Sequence, residues 1–212
     1  MHRLIIFDMD GVLTKAGSSW VAVHDHFGVN NETALRLYLE RKIDDMEFMR
    51  RDIALWKAKK PDIGQRDIEE ILHRVDFNPN VKRLFEEIRR RGLKTAVISG
   101  GIDTLARKVQ NALVCDFIAA NGLEYGPDGR LTGEGVLRVP VLGKDQVVRA
   151  VQKKFGMTKD ETISVGNSLV DARMFLESDL GIAFNPEDDT VRKAASVIIE
   201  SDDLLELVRY LD

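Results

Sequence analysis

Two carboxylates stand two residues apart in the segment FDMDG, as Asp8 and Asp10. Residues at i and i+2 of an extended chain point to one face. Both can therefore serve a single site, one as nucleophile and the other as general acid and base. The plain alternative is a solvated strand end. A calcium-binding loop is excluded, because the preceding RLIIF reads as a strand and the loop's glycine would fall at Leu13. Ser99-Gly100-Gly101 offers backbone N–H groups that can hold an anion at a helix entrance, with glycines permitting close approach; a strand-to-helix turn uses the same residues.

Gly143-Lys144 is not a nucleotide P-loop, which needs Gly where Arg138 stands and Ser or Thr where Asp145 stands. A lone lysine at a helix start is more often solvated than functional, but its unfavourable sign against the helix dipole suggests a local anion that offsets it. Asn167 and Asp171, four residues apart, supply oxygen donors of the kind magnesium takes. An ordinary helix cap at Asn167-Ser168 is the alternative.

The elements that must position these residues are read from apolar periodicity. RLIIFD at 3–8 reads as a buried strand. Residues 15–77 read as an all-helical insertion: WVAVHDHF, then Glu32–Arg41, Asp44–Lys60 and Arg66–Val75. Their apolar stripes are Leu35, Tyr38 and Leu39 in one helix, and Met46, Met49, Ile53 and Trp56 in another. From Pro79 helices and strands alternate: a helix at 81–91 stopped by Gly92, the strand LKTAVIS, a glycine turn and a helix at 102–113. The strand CDFIAAN, a Gly-Pro-Asp-Gly hairpin, a helix at 144–155, the strand TISVG, a helix at 172–178, the strand LGIAF, a short helix and a closing strand–helix pair complete the chain. Alternation of this kind predicts a doubly wound α/β fold with a parallel sheet covered on both faces, and ligands beyond the carboxyl ends of its strands. The expected division is a core of 1–14 and 78–212 with a helical cap of 15–77 inserted after the first strand.

Composition excludes several classes. Lys and Arg number 31 against 35 Asp and Glu, a net charge of −4 with no basic footprint for nucleic acid. With 44% apolar residues the chain can build a core without metal or disulfide staples, and the single Cys115 excludes an internal disulfide. No apolar run reaches the ~18 residues of a membrane span, and the four apolar residues before Asp8 fall far short of a signal peptide's apolar region, so none is expected here. The expectation is a cytoplasmic protein without membrane or nucleic-acid partners; the oligomeric state is not legible.

Four segments together, DMDGVLT at 8–14, VISGG at 97–101, GKD at 143–145 and VGNSLVD at 165–171, resemble the haloacid dehalogenase superfamily. The likeness is strongest to its phosphoserine-phosphatase-like branch, is reinforced by AANGLEYGPDGRLTGEG at 119–135, and covers 1–14 and 77–205. The resemblance implies a phosphatase for a small phosphorylated metabolite. Asp8 would be the nucleophile that becomes an aspartyl-phosphate, and Asp10 would protonate the leaving oxygen and then activate water. Ser99, Gly100 and Lys144 would hold phosphoryl oxygens together with Asp10. Mg²⁺ would be bound by Asp8, the Asp10 carbonyl and Asn167, with Asp171 beside it orienting metal-bound water or Lys144. A phosphomutase, or a low-turnover phosphate-binding regulatory protein, would use the same motifs.

Two features depart from the family pattern. Asn167 stands where the family has Asp, which removes one charge from the metal site. In the cap, the glutamate and arginine that grip the phosphoserine zwitterion fall at Gly17 and Asp52. Trp20, His24, Phe48, Arg50 and Arg51 are the candidate cap contacts.

Overall fold

A computed structural model describes residues 1–211. Its centre is β1 (Leu4–Phe7), in which every residue is buried. Side chains alternate across the strand: Ile5 and Phe7 join one apolar cluster, and Leu4 and Ile6 join the other. A strand apolar on both faces belongs inside a sheet covered twice, and this one sits fourth among seven strands.

The chain then forms α1 (Ser19–Phe27), α2 (Glu32–Leu39), α3 (Asp45–Lys59) and α4 (Gln65–His73) before α5 (Val81–Arg90) and β2 (Lys94–Ile102) return it to the sheet. Next come α6 (Asp103–Ala112), β3 (Phe117–Tyr125), β4 (Leu131–Val136), α7 (Lys144–Phe155), β5 (Thr162–Gly166), α8 (Ala172–Leu176), β6 (Leu180–Phe184), α9 (Asp189–Ala194) and β7 (Val197–Ile199). The sheet order is β4-β3-β2-β1-β5-β6-β7. All pairings are parallel except β3 with β4, the hairpin at the edge. Strand order reverses at β1, between β2 and β5, so the crevice beyond those three strand ends is where a ligand fits.

Several expectations are corrected. Gly100 and Gly101 do not turn the chain; β2 runs through them to Ile102, with its register against β3 shifted between Ser99 and Ile102. In α2 the buried residues are Ala34 and Tyr38, while Leu35 and Leu39 are 45% and 42% exposed. Tyr38 turns that helix: its ring stacks on Phe48, and its hydroxyl donates to Asp45 and accepts from the Leu142 N–H. The closing helix is a run of 3-10 turns at Leu204–Tyr210. Buried residues of α3 and α4, among them Ile53, Trp56, Ile68 and Leu72, lie in the same apolar cluster as Ile5 and Phe7.

Candidate active site

Asp8 comes directly after β1, and its N–H donates to the Val165 carbonyl at 2.9 Å, so β5 fixes its backbone. Lys144 opens α7 and is 1% exposed. Its ammonium donates to Asp171 Oδ1 at 2.7 Å and forms an ion pair with Asp8 Oδ1 at 2.9 Å. Asp171 is itself held, its Oδ2 accepting from the N–H groups of Asn167 (2.9 Å) and Ser168 (3.1 Å). The anion that a lysine at a helix start demands is thus a pair of buried carboxylates.

Asp10 is fixed through one oxygen only. Its Oδ2 accepts from Ser19 N and Ser19 Oγ, both at 2.8 Å, and Ser19 Oγ in turn accepts from Ile102 N at 2.8 Å. Asp10 Oδ1 is buried without a hydrogen bond. Closing this knot requires glycine at position 101, because a Cβ there would stand 2.4 Å from Asp10 Oδ2 and 2.5 Å from Ser19 Oγ. Ser99 Oγ accepts from Gly101 N at 3.0 Å, which leaves its proton free to donate. The Gly100 carbonyl is pinned by Trp20 Nε1 at 3.0 Å and Asn121 Nδ2 at 3.2 Å.

The electrostatics are unbalanced. Asp8, Asp10 and Asp171 are all buried, and Lys144 is the one cation among them. Burial, with Asp171 and Asp10 nearby, pushes the Asp8 carboxyl up to about 7 even though Lys144 opposes the shift. Burial also raises Asp10, against the two Ser19 hydrogen bonds. For Lys144, burial alone would lower its basicity, but Asp171 and Asp8 outweigh it and hold the ammonium charged.

This donor set suits a hard divalent cation. Asp8 Oδ1 has only the Lys144 ammonium beside it, and Asp10 adds a buried negative charge whose Oδ1 has no hydrogen bond. The amide of Asn167 donates from Nδ2 to Glu187 Oε1 at 2.9 Å, so its oxygen is the free group. Gly11 makes room for that amide, since a Cβ there would lie 2.2 Å from Asn167 Nδ2 and its φ of +75° favours glycine as well. Among the described residues no three His, Cys, Asp or Glu side chains form a metal cluster; both Asp171 oxygens are taken, so the side-chain ligand beside Asp8 would be Asn167.

A cavity of about 510 Å³ opens over Asp8, Asp10, Ser99, Gly100 and Lys144 and extends to Trp20, His24 and Phe48. Arg50 and Arg51 are not on its wall: Arg50 pairs with Glu134 and Arg51 with Glu47, both at 2.8 Å on the surface. Sequence reasoning passed over Ser19, Asn121 and Glu187. Glu187 lies three residues past β6, within reach of a search of the residues just beyond each strand end. Asn121 was visible as a polar residue in an apolar run. Ser19 carried no signal, because its partners come from β2 and the loop after β1.

Such a sheet, with these side chains at the strand ends, defines an α/β protein with a polar site at its switch point, and comparison with known proteins gives the family. The family model of haloacid dehalogenase-like hydrolases matches residues 5–176. The chain belongs to that family, in its phosphoserine-phosphatase-like branch, and is an enzyme of the phosphatase class. It is similar to the phosphoserine phosphatase of Wolinella succinogenes, with 29% identity over 99% of this chain and 100% of the relative. The Idiomarina loihiensis phosphoserine phosphatase is 31% identical, over 98% of this chain and 93% of its own. Among solved structures, a phospho-aspartyl intermediate analogue of phosphoserine phosphatase superposes with a TM-score of 0.85 at 26% identity, covering 100% of this chain and 99% of that one.

Proposed function

We propose that the protein is a magnesium-dependent phosphatase that hydrolyses a small phosphomonoester through an aspartyl-phosphate on Asp8. The observation that carries this reading is the arrangement of Asp8 against Lys144 beside an Asp10 tied through one oxygen, at the floor of a cavity. An Asp8 carboxylate oxygen forms the bond to phosphorus as the ester oxygen leaves. Asp10 gives that oxygen its proton; with Oδ2 occupied by Ser19, Oδ1 is the atom that carries it. The same oxygen then takes a proton from the water that attacks the phosphorus and frees Asp8.

Ser99 Oγ, the Gly100 N–H and Lys144 hold the phosphoryl oxygens, and Asp171 keeps Lys144 in place. Mg²⁺, held by Asp8, the Asp10 carbonyl and Asn167, would supply two further positive charges against the carboxylate–phosphate repulsion. Each unit-charge pair at 4 Å is worth about 4 kcal/mol at an effective dielectric of 20. Positioning and charge compensation of this kind supply most of the rate in phosphoryl transfer. Residues 15–77 act as a cap that screens the cavity from water and selects the organic group.

The test is release of inorganic phosphate from a panel of phosphomonoesters, with Mg²⁺ and with EDTA, by wild type and Asp8→Asn. Turnover that needs both Mg²⁺ and Asp8 is expected. Turnover by Asp8→Asn at the wild-type rate would overturn the mechanism.

A further inference from the structure

The cavity wall opposite the phosphate-binding floor has a charge pattern that neither the family nor the relatives' names account for. Lys144 is the one Lys or Arg lining the cavity among the described residues, and the phosphoryl group would occupy it. Of the side chains on the far side, Asp52 stands out: it is 3% exposed and still lines the cavity.

Its partners are neutral donors. Trp56 Nε1 donates to His24 Nδ1 at 2.9 Å; an indole N–H can only donate, so Nδ1 is the imidazole's acceptor. The ring proton is therefore on Nε2, which donates to Asp52 Oδ1 at 2.9 Å. Asn31 Nδ2 donates to the same oxygen. Among the described residues no hydrogen bond reaches Asp52 Oδ2, and no Lys or Arg pairs with the carboxylate. Oδ2 is not among the buried atoms without a partner, and Asp52 lines the cavity, so this oxygen is open to whatever fills it. The surrounding wall is apolar and aromatic, with Trp20, Phe48, Met49 and Val141. Aromatic faces attract cations as well as hydrocarbon. At the rim the exposed Asp25 and Glu32 add further negative charge.

We infer that Asp52 is a specificity-determining carboxylate, and that the organic group of the substrate is an apolar body carrying an ammonium and no carboxylate. The inference rests on the phosphatase reading for the phosphate end and on Asp52, with its unpaired oxygen, for the other. A substrate carboxylate would meet Asp52 with like charge and find no Lys or Arg on the far wall to pair with. An ammonium would donate to Asp52 Oδ2 and neutralise it. Phosphoserine, which carries both groups, would gain at one end and lose at the other.

The experiment compares aminoalkyl phosphates of two to six carbons with alkyl phosphates of matched length and with O-phosphoserine. Two readouts are taken: kcat/KM of the wild-type protein with Mg²⁺, and calorimetric binding to the Asp8→Asn protein. The best aminoalkyl phosphate should exceed its alkyl match and O-phosphoserine by about tenfold or more, mainly through KM, as expected for a hydrogen bond to a charged group. In Asp52→Asn, which retains an oxygen for His24 and Asn31, the amine-to-alkyl ratio should fall to near one.

Equal use of aminoalkyl and alkyl phosphates at every length would overturn the inference. So would a preference for O-phosphoserine, or an amine preference that survives in Asp52→Asn. Failure of the phosphatase reading looks different: no ester is hydrolysed, while binding to the Asp8→Asn protein still ranks the amines first.

Discussion

Asp8 is buried at a cost that Lys144 offsets only in part. Its carboxyl is pushed up to about 7 from an ordinary 3.8 by burial and by Asp171. Between those two values the folded chain holds a proton that the unfolded chain has released, so folding stability falls as pH rises through that window. The Asp8 contribution is complete below pH 3.8 and lost above about 7. In EDTA the wild-type melting temperature should therefore drop relative to Asp8→Asn between pH 5 and pH 8, and Mg²⁺ should restore it at the upper end. Parallel melting curves for the two proteins across that range would refute the electrostatic account.

Asn167 gives a second prediction at this scale. Asn167→Asp would add the charge that the family pattern has, but at 2.9 Å from Glu187 Oε1, where the amide now donates. Mg²⁺ affinity measured by calorimetry should rise about tenfold, while the EDTA-treated protein loses ~1–2 kcal/mol to the carboxylate pair. Asn167→Asp with Glu187→Gln should recover that loss. No tightening of Mg²⁺ in either variant would remove Asn167 from the metal site.

At the scale of elements, the sequence was most legible where the chain is driest. The strands β1 and β6 are apolar on both faces and β5 is buried throughout, a pattern that surface turns cannot imitate, and the ends of β1 and β5 already pointed to Asp8, Asn167 and Asp171. The helix α7 begins at Lys144, as the sequence pattern required. The misreadings share one physical cause, tertiary contact overriding local pattern. Hydropathy would bury Leu35 and Leu39, but the bonds of Tyr38 to Asp45 and Leu142 roll α2 the other way. Two adjacent glycines suggest a turn, but they keep β2 extended where Asp10 and Ser19 crowd its backbone.

Asn121 shows what such contacts hold together. Its Nδ2 donates to the carbonyls of Gly100 and Val139, and its Oδ1 accepts from the N–H groups of Arg138 and Val139. One side chain therefore couples the phosphate-side end of β2 to the segment that leads into α7. Asn121→Ala would strand these backbone groups, at a cost of about 2–4 kcal/mol in urea unfolding. It should also lower kcat by loosening Gly100. An unfolding midpoint within error of wild type would show that water replaces the amide.

At the scale of the whole molecule, the helical segment and the sheet are joined more tightly than an inserted cap suggests. Ile53, Trp56, Ile68 and Leu72 pack into the cluster that contains Ile5, Phe7, Val97 and Val165. The edge hairpin adds a second tie, with the Lys57 ammonium donating to the carbonyls of Leu131 and Thr132. A segment built to fold alone would have its own closed core; the apolar cluster of these helices is continuous with that of the sheet. The chain's two tryptophans, Trp20 and Trp56, both lie in the helical segment, so fluorescence reports on the segment while far-UV circular dichroism reports on the whole chain. The two urea transitions should coincide, with one midpoint and one slope, as for a single cooperative unit. A fluorescence transition at lower urea would mean that the helices detach first, and that the continuous apolar cluster contributes less to holding them than its burial implies.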